Sequence, residues 1–122
     1  MARPARLEPV RICAAEALTD GGRAVRFEVV HGGETAPAFA VRSQGRVHAY
    51  LNRCAHQPRE LDWRAGEVFD AEGRDLVCSM HGATYAASTG RCLGGPCGGR
   101  PLVRLRVEER DGAVYYLGSA DE

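Results

Sequence analysis

Short runs rich in Val, Phe, Tyr and Leu alternate with glycine-centred breaks along this chain, and nowhere do apolar residues recur at helical spacing for long. The pattern predicts strands at residues 10–13, 24–30, 38–42, 47–51, 76–78, 84–86, 102–108 and 114–117. Turns are expected at Asp20-Gly21-Gly22, His31-Gly32-Gly33, Gln44-Gly45 and Asp111-Gly112, where glycine supplies the positive φ that tight hairpins need. Residues 67–77 read as a further hairpin, turning at Ala71-Glu72-Gly73, and only residues 14–18 suggest a single helical turn. The predicted class is all-β and antiparallel. No internal repeat or low-complexity linker interrupts it.

With 122 residues, 44% of them apolar, the chain has the material for one domain spanning 1–122 with a modest core, and no room for a second, catalytic one. Its 16 basic residues, all arginine, balance 16 acidic ones. No basic block or aromatic-basic stripe is present, so nucleic acid is not an expected partner. Residues 1–10 contain neither a signal-peptide core nor an apolar run able to span a bilayer, which predicts a soluble, cytoplasmic protein without a membrane anchor. Five cysteines, an odd number, do not suggest the disulfide framework of a secreted domain.

The chemistry is concentrated in two mixed pairs, Cys54-Ala-His56 and Cys78-Ser-Met-His81, the second followed at once by Gly82. Each pair falls in a predicted loop, where side chains from two hairpins can converge. Two thiolates and two imidazoles can hold a [2Fe-2S] cluster with both cysteines on one iron and both histidines on the other. Two ferric ions, two sulfides and two thiolates sum to zero charge. One added electron then creates a single negative charge, whereas an all-thiolate cluster starts at −2, so histidine ligation raises the potential. Two cysteines and two histidines are also a zinc set. Zinc fingers usually pair Cys with Cys and His with His, whereas both pairs here are mixed. His31, beside a Gly-Gly turn, and His48, in a strand pattern, read as ordinary residues, Cys13 as a small core residue and Trp63 as packing beside the first loop.

The string Cys54-Ala-His56 with Cys78-Ser-Met-His81-Gly82-Ala83-Thr84-Tyr85 resembles the Rieske family, and the likeness runs over most of the chain. The resemblance implies an antiparallel β-sandwich with an inserted cluster-binding subdomain, here about residues 53–98. It also implies ligation of one [2Fe-2S] cluster by Cys54, His56, Cys78 and His81, and a proline-containing covering loop, matched by Gly94-Gly95-Pro96. Rieske proteins of quinol-oxidising membrane complexes usually carry an extra disulfide-forming cysteine in each ligand loop and an apolar residue after the first histidine. Arg59, Met80 and Gln57 stand at those places here. The soluble ferredoxin branch fits better, which implies a carrier that donates single electrons to an oxygenase or reductase, with no substrate of its own, docking near His56 and His81. The small subunit of a nitrite-reductase-like complex and a redox sensor are the competing readings.

Around the ligands, the resemblance implicates Gln57, Gly82, Ala83, Tyr85 and Pro96. A hydrogen bond to a cluster sulfur favours the more negative reduced state, so each bond removed lowers the potential. High-potential relatives have serine after the His-Gly pair; Ala83 cannot donate, while the Tyr85 phenol can. The expected potential therefore lies in the lower half of the family span of about −150 to +300 mV. Cys92 and Cys97 flank the Gly94-Gly95-Pro96 loop, and the sequence leaves open whether they form a disulfide.

Overall fold

The computed structural model of the protein describes residues 9–31, 33–53, 66–78 and 82–119. Among these described residues nine strands follow in order: β1 (Val10–Ala14), β2 (Val25–His31), β3 (Glu34–Ser43), β4 (Arg46–Leu51), β5 (Asp75–Val77), β6 (Thr84–Ala86), β7 (Cys92–Gly94), β8 (Arg104–Arg110) and β9 (Ala113–Ser119). The helical turn expected after β1 is a short 3-10 turn, Ala15–Ala17, and among the described residues no helix is long and apolar enough to cross a membrane. Six strands form one antiparallel sheet in the order β1-β9-β8-β4-β3-β2, and three form a second in the order β5-β6-β7. This is the all-β antiparallel arrangement the apolar pattern predicts.

Two hairpins of the large sheet turn on residue pairs that both have positive φ, Gln44 (54°) with Gly45 (80°) and Asp111 (53°) with Gly112 (78°). That conformation matches the right-handed twist of the flanking strands, and glycine with Asn, Asp or a small polar neighbour adopts it at least cost. The hairpin at residues 67–77 is also present: the Val77 N–H donates to the Val68 carbonyl (2.8 Å) and the Asp70 N–H to that of Asp75 (2.8 Å).

The third predicted strand is longer than residues 38–42, because β3 begins at Glu34 and runs through Pro37. Proline normally argues against a paired strand. Here the Pro37 carbonyl accepts from the Asn52 N–H, so the proline nitrogen faces that same edge and no ladder bond to β2 is forfeited. The strand predicted at 102–108 is shifted toward the C-terminus, to Arg104–Arg110, and β7 was not anticipated at all.

β3 and β4 are buried on both faces, and their alternation assigns side chains to two separate cores. Ala36, Ala38 and Ala40 of β3, with Ala49 and Leu51 of β4, line one core together with Cys13, Leu18, Val29, Leu105 and Val114. The edge strands β1 and β2 approach each other around it, so the large sheet curls over its own inner face. Phe39, Val41 and Tyr50 point the other way and meet Val68, Leu76, Cys78, Ala83, Tyr85, Cys97 and Leu102. This second core joins the two sheets.

Two polar anchors hold these layers in register. The Arg42 guanidinium donates to the carbonyls of Leu18 (2.7 Å) and Ala15 (3.1 Å) and to both oxygens of Glu109 (2.9 and 3.0 Å), tying the 3-10 turn to β3 and β8. This bidentate bond holds the Glu109 carboxyl below its ordinary pKa. Tyr50 is fully buried and its phenol donates to the Ala87 carbonyl (2.7 Å), just past β6. Gly90 lies against the same ring: a Cβ there would stand 2.7 Å from Tyr50 Cε1.

Burial pushes the Tyr50 phenol far above its ordinary pKa. Because the folded state holds that proton more tightly, its contribution to stability is complete below the unfolded value of about 10 and is lost as pH rises beyond it. Tyr50→Phe should strand the Ala87 carbonyl, lower unfolding free energy by about 1–3 kcal/mol and flatten the alkaline part of the stability profile. Urea denaturation of both proteins from neutral to strongly alkaline pH measures each effect.

Candidate metal centre

Cys78 stands at the end of β5, where the chain leaves the small sheet. Its backbone closes the following loop from both sides: the Cys78 N–H donates to the Ala83 carbonyl (2.9 Å), and the Gly82 N–H donates to the Cys78 carbonyl (2.9 Å). Gly82 has φ +77°, a left-handed conformation that returns the chain to β6. Leu76 of β5 and Tyr85 of β6 face each other in register, both wholly buried, so the root of the loop is fixed in the core between the sheets. Cys78 itself is 1% exposed, and it belongs to no disulfide.

Of the other proposed ligands, Cys54, His56 and His81 lie outside the described residues, as do Gln57, Arg59, Trp63 and Met80. The described part of the first ligand segment ends at Arg53, just after Leu51 and Asn52 are buried. No group of three metal-ligating side chains occurs among the described residues. The remaining members of the predicted surround are described: Gly82 is exposed, Ala83 and Tyr85 are fully buried, and Pro96 is half-buried. Tyr85 therefore belongs to the core on which the second ligand loop is founded.

Cys92 and Cys97 form a disulfide. It closes the ends of the Gly94-Gly95-Pro96 loop, and a ring this short restricts the unfolded chain by about 2 kcal/mol in the loop-entropy model. β7 begins at Cys92 and pairs with β6, Tyr85 opposite Cys92 and Thr84 opposite Gly94. The sequence did not signal this strand, since three residues set among glycines carry no readable alternation. Beyond the strand, Gly95 comes so close to the ligand loop that a Cβ on it would stand 2.9 Å from the Gly82 carbonyl oxygen and 3.0 Å from Ala83 Cα. The covering loop thus rests directly on the two residues that follow His81.

The cysteine and histidine residues away from this region differ in character. Burial raises the pKa of the Cys13 thiol, so it stays protonated within the core of the large sheet. Burial lowers that of His48, and Arg104 and Arg46 lower it further, which favours a neutral imidazole.

A family model of the Rieske [2Fe-2S] domain matches residues 8–109. This chain belongs to the Rieske family. The donor chemistry agrees: among the described residues, the buried Cys78 at a loop closed on its own backbone is the kind of thiol a cluster takes up. A Rieske domain carries one [2Fe-2S] cluster, which supplies a one-electron couple.

Solved structures share the fold. A chain of the complex of reduced oxygenase and oxidized ferredoxin in carbazole 1,9a-dioxygenase is 27% identical, with a TM-score of 0.69 over 90% of this chain and 93% of that one. The ferredoxin of carbazole 1,9a-dioxygenase from Nocardioides aromaticivorans IC177 is 24% identical, TM-score 0.69, over 92% and 99% of the respective chains. The Sphingomonas yanoikuyae B1 ferredoxin is 23% identical, TM-score 0.68, over 89% and 97%. No curated protein matches the chain.

Purified anaerobically from iron-replete cells, the protein should contain about two irons and two acid-labile sulfides per chain, as one [2Fe-2S] cluster requires. Its dithionite-reduced form should give a rhombic EPR spectrum characteristic of mixed nitrogen and sulfur ligation. Stoichiometric zinc without sulfide would be the contrary result.

Proposed function

We propose that Cys54 and Cys78 hold one iron of the cluster and His56 and His81 the other, within a single Rieske domain whose cluster-binding subdomain covers about residues 53–98. The observation that carries this reading is the second ligand loop. Cys78 is sealed in the core at one end of it, while Gly82, the residue after His81, is exposed at the other. That order supports thiolates on the inner side and imidazoles toward the partner.

The chain then donates single electrons to an oxygenase component, docking around His56 and His81 as a cytoplasmic member of a multi-component oxidoreductase. Two comparisons favour an oxygenase over other acceptors: the 27%-identical chain comes from an oxygenase–ferredoxin complex, and the Nocardioides ferredoxin serves a dioxygenase. Leu93, 53% exposed on β7, adds an apolar contact beside the covering loop.

His56→Ala and Cys78→Ala should each abolish the native cluster, read as loss of labile sulfide and of the visible spectrum. If the Tyr85 phenol donates to a cysteine sulfur, with an energy of about 1.5–3 kcal/mol, its removal is worth about 60–130 mV for one electron. Tyr85→Phe should therefore lower the potential and Ala83→Ser raise it, with the cluster retained in both. Protein-film voltammetry distinguishes these shifts from an unchanged potential, which would mean neither side chain reaches the cluster.

The partner is tested by stopped-flow mixing of the reduced protein with an oxidised Rieske oxygenase component. Single-electron reoxidation that saturates with oxygenase concentration is expected, and Leu93→Asp should slow it about tenfold, a loss typical of one interface anchor, without altering the potential. Reoxidation no faster than by dioxygen alone would argue against an oxygenase acceptor.

A further inference from the structure

The disulfide, the unanticipated strand and the close glycine contact all lie on one side of the second ligand loop. Cys92 and Cys97 close the ring, Gly94 is paired with Thr84, and Gly95 abuts the Gly82 carbonyl and Ala83 Cα. Cys97 Sγ is itself seated within the fold, 3.2 Å from the Gly94 carbonyl oxygen and 3.9 Å from that of Thr84, and its residue is fully buried. One end of the ring is thus anchored in the core between the sheets and the other on strand β7. With both ends joined, Gly95 cannot withdraw from Gly82 and Ala83 unless β7 or the core moves with it.

We propose that the Cys92–Cys97 disulfide is a positioning element for the iron-sulfur cluster. It keeps Gly95 pressed on the backbone of Gly82 and Ala83, which fixes the loop that starts at Cys78, and opening it lets that loop relax and release the cluster faster. The inference rests on the ligand assignment proposed above. Gly95 is suited to the contact because its φ of +86° and the closeness of backbone atoms exclude a side chain.

The disulfide can be opened by a dithiol. A thiolate of the reductant attacks Cys92 Sγ, the half-buried sulfur; the S–S bond breaks, and Cys97 Sγ leaves with the bonding electron pair and takes up a proton. The second thiol of the reductant then attacks the mixed disulfide, freeing Cys92 as a thiol and closing the reductant into a cyclic disulfide. Two electrons and two protons pass from the dithiol to the protein. Because the departing Cys97 thiolate emerges in a buried setting against carbonyl oxygens, where charge is disfavoured, opening is slow, and the brace persists under mild reduction.

The test uses the cluster-loaded protein in three opened or perturbed forms: Cys92→Ser/Cys97→Ser, wild type treated anaerobically with dithiothreitol and then freed of it, and Gly95→Ala. Alkylation and mass measurement establish the state of the two cysteines. The half-life of the visible circular dichroism in excess iron chelator is compared with the unfolding midpoint and the reduction potential. Expected, at a temperature well below the unfolding midpoint of every form, is cluster loss about tenfold faster in each, the scale seen when groups supporting metal ligands are removed, with full recovery when the reduced wild type is reoxidised; opening the ring lowers the midpoint by freeing the unfolded chain, whereas Gly95→Ala keeps the ring closed. A wild-type half-life in protein shown to be open would overturn the proposal, as would cluster loss that only tracks a fall in the unfolding midpoint. If the double variant does not fold, the reduced wild type decides. Absence of iron and sulfide from the untreated protein would overturn the ligand assignment itself, and the inference with it.

Discussion

The bond from the Tyr50 phenol to the Ala87 carbonyl joins the two sheets close to where the chain enters and leaves the segments proposed to bind the metal. Tyr50 belongs to β4, the strand that runs into the first proposed ligand segment, while Ala87 directly follows β6, the strand that runs out of the second. One buried side chain therefore references both ligand segments to a common point. A hydroxyl is tolerable in that core only because its proton has a partner, and the same requirement makes the joint directional where an apolar contact could slide. Gly90, with no room for a Cβ beside the tyrosine ring, and Leu102, which donates its N–H to the Gly90 carbonyl (2.9 Å), complete the seat.

Much of this organisation was legible from residue pattern alone, for reasons that can be named. Gln44-Gly45 and Asp111-Gly112 are turn pairs whose backbone demands are local, so the hairpins they close need no knowledge of the rest of the molecule. The alternation in β4 survives because Ala49 and Leu51 share one face and Tyr50 takes the other, even though both faces are buried. Where non-local contacts decide, the pattern is silent. β3 extends through Pro37 because β4 has already ended at that level and Asn52 takes the exposed carbonyl, a circumstance visible only once the strands are paired.

The metal centre divides in the same way. The proposed ligands, Cys54, His56, Cys78 and His81, are expected from residue type and spacing alone. The support of the second ligand loop is not. Cys92 and Cys97 were visible as a pair flanking glycines, but their joining, the short strand β7 and the contact of Gly95 with Gly82 follow from how β7 adds to β6. Charge signals were of little help, because the sixteen arginines balance the acids overall, and the one whose position organises the fold, Arg42, is distinguished by the carbonyls and the carboxylate it meets and not by its neighbours in sequence.

The inner lining of the large sheet, built from Ala36, Ala38, Ala40 and Ala49, limits how proteins of this design can diverge. The methyl groups at those places are buried in the same core as Leu18, Val29 and Leu105, so larger replacements would have to displace packed neighbours. In a core packed this closely, single substitutions cost stability sooner than they open a binding pocket. Variation that alters recognition is driven instead to the small sheet and its loops, which can be rebuilt while the alanine-lined half stays the same.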